Sequence, residues 1–213
     1  MMFRRFFLAA LLGAVLAIAG GGQVRAATSL EEGAKAFIDT VSGQALKSLT
    51  TKGVSRPERI ERFRTLFKEN FAVTAIGKWI LGRYWPKATE EQQTEYLKLF
   101  EDLIVVSYVD RFAQYTGEGL KINKTLANNE RMATVFSEIT QPGNTAAVRV
   151  DWRVGKNSDS YKIFDVVVEG TSMSQTMRSD FGSIIRRKGG QISGLLEVLR
   201  EKTAEFKKDA GAQ

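Results

Sequence analysis

The chain has 213 residues, 43% hydrophobic and 26% charged, a balance that fits one domain with a sizeable core and excludes wholesale disorder. It contains no His and no Cys, which removes the commonest general base and metal ligand, thiol nucleophiles and disulfides. Its formal net charge is +7, and the +4 that remains without the N-terminal leader expected below is mildly basic and no nucleic-acid footprint.

Arg4 and Arg5 precede an apolar run from Phe6 to Ala19, Gly20 to Gly22 interrupt it, and Val24-Arg25-Ala26 offers small residues before a cut. This predicts a secretory signal peptide over 1–26, cleaved near Ala26, and an exported mature protein. The run is shorter than the roughly 20 residues that span a bilayer. Removing it takes away Arg4, Arg5 and Arg25 and leaves 28 basic against 24 acidic residues, a net +4. Such a surface suits transient contact with anionic membranes or acidic partners. One domain is expected over 27–206, with a flexible tail at 207–213.

Ser29-Leu30-Glu31-Glu32 has capping-box spacing and predicts a helix from there to about Leu49. Ser55-Arg56-Pro57-Glu58 repeats that logic ahead of Ile60, Phe63, Leu66 and Phe67, with a break near Asn70 and Phe71. A short apolar helix through Ile76, Trp79, Ile80 and Leu81 is closed by Gly82 and Pro86. Thr89-Glu90-Glu91-Gln92 caps the longest helix, which is expected to reach Tyr115 before Gly117 and Gly119. Its middle, Leu103 to Val109, is apolar nearly all round, as in a helix surrounded by other elements.

The period then drops to two. Strands are expected at Leu120–Leu126, Arg131–Ile139, Thr145–Val154 and Tyr161–Glu169, joined by Asn128-Asn129, by Pro142-Gly143-Asn144 and by a loop over Gly155–Ser160. Short turns and alternation predict an antiparallel meander. Helical spacing returns at Met177, Phe181, Ile184 and Ile185, stops at Gly189-Gly190, and resumes at Leu195, Leu196, Val198 and Leu199. The expected fold class is α+β: helices packed on one face of a four-stranded antiparallel sheet.

No phosphate-binding loop, dinucleotide fingerprint, nucleophile elbow or Ser-x-x-Lys motif occurs. Glu101 and Asp102 read as a solvated helix face. Asp165 and Glu169 lie four strand residues apart, about 13 Å at ~3.3 Å per residue, too far for acid–base cooperation. They read instead as binders of backbone amides at a sheet edge. No enzyme, metal or cofactor is expected.

Three stretches carry a family resemblance. They are Ile80-Leu81-Gly82-Arg83-Tyr84-Trp85 leading into the long helix, Phe164-Asp165-Val166-Val167-Val168-Glu169-Gly170-Thr171-Ser172-Met173, and Arg178, Phe181, Ile184 and Ile185 with Arg187-Lys188-Gly189. The chain from about Leu30 to Phe206 resembles the MlaC, or toluene-tolerance auxiliary, family of periplasmic phospholipid-binding proteins, which includes hopanoid-associated members. Phe164 departs from it, standing where an aromatic with a hydroxyl is common. The resemblance implies a periplasmic shuttle that holds phospholipid acyl tails between sheet and helices. It implies exchange with an inner-membrane ABC transporter complex and an outer-membrane lipoprotein complex, maintaining outer-membrane lipid asymmetry.

The apolar residues offered for such a pocket are Val148, Val150, Trp152, Phe164, Val166 and Val168 from the strands. The helices offer Phe71, Ile76, Ile80, Tyr84, Phe100, Ile104, Tyr108 and Phe112. Stripes at this spacing also suit a closed core. Arg83, Lys87 and Arg178 are candidates for a charged rim. A hopanoid-associated lipid carrier, a lipid or glycan hydrolase on the same scaffold, and an envelope adaptor with a filled core are the competing readings.

Overall fold

The computed structural model describes residues 21–113, 119–140, 147–158 and 160–209, with side chains described over 28–110, 119–140, 147–158 and 160–205. Its elements are α1 (Gly21–Leu49), α2 (Arg56–Asn70), α3 (Val73–Leu81), a 3-10 turn (Gly82–Lys87) and α4 (Glu90–Ala113). Next come β1 (Leu120–Ala127), β2 (Met132–Ile139), β3 (Val148–Asn157), β4 (Ser160–Val168) and β5 (Thr171–Ser172), then α5 (Met173–Arg187) and α6 (Ile192–Asp209). No helix among the described residues is long and apolar enough to cross a membrane.

Capping chemistry sets several boundaries. Ser55 Oγ accepts from Glu58 N at 3.3 Å with Pro57 in the first turn of α2. At α4 the box is reciprocal: Gln92 N donates to Thr89 Oγ1 at 3.3 Å and Thr89 N donates to Gln92 Oε1 at 3.1 Å. Ser29 behaves differently. Helix α1 is already formed at Gly21 and passes through Ala26 and Ser29, so Ser29 does not cap it. The apolar run of the expected signal and the turn at Pro142-Gly143-Asn144 lie outside the described residues, as do Gly117 and Tyr115. At the other end α6 continues to Asp209, past the expected start of the tail.

The strands form an antiparallel meander in the order β1-β2-β3-β4-β5. The fifth strand, two residues after a turn at Glu169 and Gly170, corrects the four-strand expectation. Gly170 has φ of 79°, which glycine adopts without steric cost. The expected Gly155–Ser160 loop is also corrected, because β3 and β4 stay paired to Asn157 and Ser160. Gly155 marks close packing instead: a Cβ there would lie 2.5 Å from Phe164 Cε2 and 2.9 Å from Met132 Sδ.

Directly paired residues share a sheet face. Ala133, Val135, Trp152, Val154, Ile163 and Val166 therefore lie on one face, and α1 covers it with Leu30, Ala34, Ile38 and Val41. A register shift between Arg153 and Val154 inserts Phe164 as an extra residue of β4 and turns it toward Gly155, on the opposite face. A second cluster gathers Phe67, Ile76, Ile80, Leu81, Tyr96, Phe100, Phe181, Ile185, Leu195 and Leu199 among the helices. Among the described residues, Phe71 is the half-buried residue packed against both clusters, and its backbone bridges to Ile163 of β4.

Candidate functional site

Helices α4, α5 and α6 bound a recess of about 440 Å³, within the range of small-molecule sites. Its walls are Leu103, Ile104 and Tyr108 from α4 and Met177, Phe181 and Ile184 from α5, with Ser107 beside them. Asp180, Lys202 and Glu205 are exposed and stand at its margin. The spacing 177, 181, 184 puts one stripe of α5 on the recess. Leu103, Tyr108, Met177 and Ile184 are only half-buried, so their apolar surface is not completed by the protein's own packing.

A larger groove of about 920 Å³ lies between α2, α3 and α4. Phe71, Val73 and Leu97 line it, but so do Arg64, Lys68, Lys98, Glu101 and Asp102. Arg64 Nη1 reaches Glu101 Oε1 at 2.7 Å and Asp102 Oδ1 at 2.8 Å. This corrects the solvated-face reading of that acidic pair, since Asp102 is 6% exposed. Burial works against the Arg64 charge, yet the hydrogen bonds from its two carboxylates leave its pKa raised. A charged groove suits acyl chains poorly, because burying paired ions against hydrocarbon removes their water.

Asp165 holds the entrance to α5. Its Oδ1 accepts from Ser174 N at 3.1 Å and Ser174 Oγ at 2.6 Å. Its Oδ2 accepts from Ser172 Oγ at 2.6 Å and Arg153 Nη1 at 3.2 Å. Ser172 in turn caps α5 by accepting from Gln175 N at 3.1 Å. Glu169 Oε1 accepts from Arg149 N across the sheet. Both carboxylates serve the backbone framework, as their spacing suggested.

The structure divides the fourteen sequence-derived candidates. Ile104 and Tyr108 line the apolar recess, and Phe71 lines the charged groove. Ile76, Ile80 and Phe100 are buried in the closed helical core and reach neither hollow. Tyr84 packs on that core from outside, with Arg83 Nη2 donating to its hydroxyl at 3.1 Å. Phe112 belongs to α4, but its side chain lies outside the described residues. Val150 is buried, while Val148, Trp152, Val166 and Val168 are half-buried on the face α1 covers. None of these five lines the 440 Å³ recess. Trp152 Nε1 donates to Ser137 Oγ at 3.0 Å, and Ser137 Oγ donates to Val150 O at 2.5 Å, so the indole is satisfied internally.

Phe164 is the plain correction. It is 37% exposed on the other face from Val166 and Val168, because the bulge breaks the alternation on which its placement relied. Leu103, Met177, Phe181 and Ile184 were absent from the candidates. Their signals were legible: the all-round apolar stretch Leu103–Val109 and the three-four stripe of α5.

Fold and site together define a class, an α+β protein with an antiparallel meander and a largely apolar recess among its helices. The chain belongs to the MlaC protein family, whose profile matches residues 39–201. The "Intermembrane phospholipid transport system binding protein MlaC" of Haemophilus influenzae is 26% identical over 133 residues, 61% of this chain and 61% of that protein. The "Toluene tolerance protein ttg2D" of Pseudomonas putida is 24% identical over 137 residues, 63% of each. The matched regions thus span less than two thirds of these curated relatives. The solved structure of a phospholipid-binding protein from Ralstonia solanacearum, in complex with a phospholipid, superposes with a TM-score of 0.72 at 22% identity. It covers 82% of this chain and 98% of that one. That likeness establishes the shared fold.

Proposed function

We propose that this chain is a periplasmic lipid carrier that shelters phospholipid acyl tails in the recess between α4, α5 and α6. The observation that carries the reading is the incomplete burial of Leu103, Tyr108, Met177 and Ile184 around an apolar hollow of about 440 Å³. The Haemophilus relative, a phospholipid transport system binding protein, and the Ralstonia structure, which holds a phospholipid, support the same guest.

The chemistry required of the protein is physical. Each methylene exposed to water costs about 0.8 kcal/mol, so two long tails would cost over ~20 kcal/mol free in solution. The pocket must roughly match the bilayer, or lipid could not be both accepted and returned. Four uncovered methylenes would cost about 3 kcal/mol, roughly 200-fold in occupancy. In this reading the chain is exported with cleavage near Ala26. It exchanges lipid between an outer-membrane lipoprotein complex and an inner-membrane ABC transporter complex, and maintains outer-membrane lipid asymmetry. This role needs no catalysis, and the buried carboxylates Asp102 and Asp165 are engaged by Arg64 and by Ser172 and Ser174.

Native mass spectrometry and organic extraction of the mature protein, purified without harsh detergent, test this. Bound phospholipid recovered intact is expected. Lipid-free protein from mild purification would contradict the reading, and hydrolysed products from a labelled phospholipid would replace it with an enzyme.

A further inference from the structure

On the flank of α5 away from the recess, cations are stacked on aromatic rings. Arg178 lies over Trp79 with its Cζ 4.7 Å from the ring centroid, and its Nη1 donates to Trp79 O at 2.5 Å. Arg83 lies over Tyr84 at 5.1 Å, and Lys78 over Trp85 at 5.2 Å. Trp79 is 45% exposed, a high value for so large an apolar ring. Glycine allows the arrangement: a Cβ on Gly82 would lie 2.6 Å from Arg178 Nη2. On α5, Arg186 stands two turns beyond Arg178. The Tyr84 hydroxyl is held below the usual phenol range by the hydrogen bond from Arg83, and Arg186 acts in the same direction.

Among the described residues, Lys78, Arg83, Arg178 and Arg186 form no ion pair with a carboxylate, and all four are exposed. Elsewhere Arg56, Arg62, Arg64, Arg153 and Arg200 each have an acidic partner. Exposed Arg131 and Lys121 also form no ion pair among the described residues, so what marks this surface is unpaired cations stacked on aromatic rings. We propose that the end of α3, the 3-10 turn and this flank of α5 dock on anionic phospholipid bilayers. Amphipathic Trp and Tyr rings settle at headgroup depth, and Arg and Lys meet lipid phosphates there. An acidic protein would satisfy the cations but would give Trp79 no comparable half-apolar environment.

This docking is independent of whether the recess holds a tail. The test is co-sedimentation of the full mature chain with vesicles of phosphatidylcholine alone, or with about a third phosphatidylglycerol, at low and high salt. Binding to the anionic vesicles at low salt, weakened by salt, is expected. Arg178→Gln and Arg186→Gln should each lower the partition coefficient about fivefold. Trp79→Ala should lower it too, while Arg178→Lys should retain most of it. Lys121→Gln, on the distant strand β1, should leave it unchanged. Equal partition into both vesicles, the signature of tail capture alone, would overturn the proposal. So would no binding at low salt, or a loss with Lys121→Gln equal to that of the patch variants.

Discussion

Cutting Asp165 back to alanine strips acceptors from Ser172, from Ser174 and from the Ser174 amide, in a place only 6% exposed. Asp165→Ala should lower stability by about 2–3 kcal/mol, measured by chemical denaturation, because buried donors lose a charged partner. A drop below ~0.5 kcal/mol would mean water replaces the carboxylate freely. The structural role of this aspartate was readable in the sequence, since its distance to Glu169 already excluded a catalytic pair. The fate of Phe164 was not, because one inserted residue reverses a strand's alternation and no local signal marks it. At the recess, Met177→Trp should fill the hollow without adding charge. It should reduce co-purified phospholipid severalfold while thermal stability stays near that of the parent; unchanged lipid content would place the guest elsewhere.

Helix boundaries were legible where a cap is local. The box at Thr89 forms as its spacing dictates, and at Ser55 its serine half forms while the Glu58 carboxylate pairs with Arg62. Ser29 has the same spacing, yet α1 runs through it from Gly21. Cleavage at Ala26 would leave Ser29 within the first turn of the mature helix, where its hydroxyl could cap. Between elements, the Glu95 carboxylate of α4 takes a bidentate pair from Arg200 of α6, at 2.5 and 2.8 Å. The Arg200 hydrogen bond holds the Glu95 pKa below its ordinary 4.5. A depressed carboxylate pKa stabilises the fold fully above the unfolded value and is lost as pH falls through the folded one. Wild type and Arg200→Ala should therefore differ in denaturation midpoint at pH 7 and converge well below pH 4.5. A difference that persists into strong acid would assign the effect to packing. Helix α1 also meets the sheet closely, since a Cβ on Gly33 would lie 2.0 Å from the Tyr161 hydroxyl. Tyr161 is stacked on Phe37 at 5.9 Å, so it cannot swing aside without cost. Gly33→Ala should destabilise by about 1–3 kcal/mol despite alanine's better helix propensity.

Among the described residues the buried apolar side chains form two clusters, one around α1 and the sheet and one among the helices, with Phe71 packed against both. Periodicity foretold both sets of elements and the α+β class, because each face needs a partner to bury against. It could not foretell the division. Buried core and open hollow share the same three-four spacing, so Ile76, Ile80 and Phe100 looked no different from Ile104 and Tyr108. Tertiary packing alone separates them: Ile104 and Tyr108 line the recess between α4, α5 and α6, and the other three do not. The central claim is that hydrocarbon from a guest completes this space. Photocrosslinking with a phospholipid carrying a diazirine in one acyl chain, followed by peptide mass spectrometry, tests it most directly. Label is expected on Leu103, Ile104, Met177 and Ile184. Label confined to the charged groove at Phe71–Ala75, or no label at all on protein loaded with the probe, would contradict it.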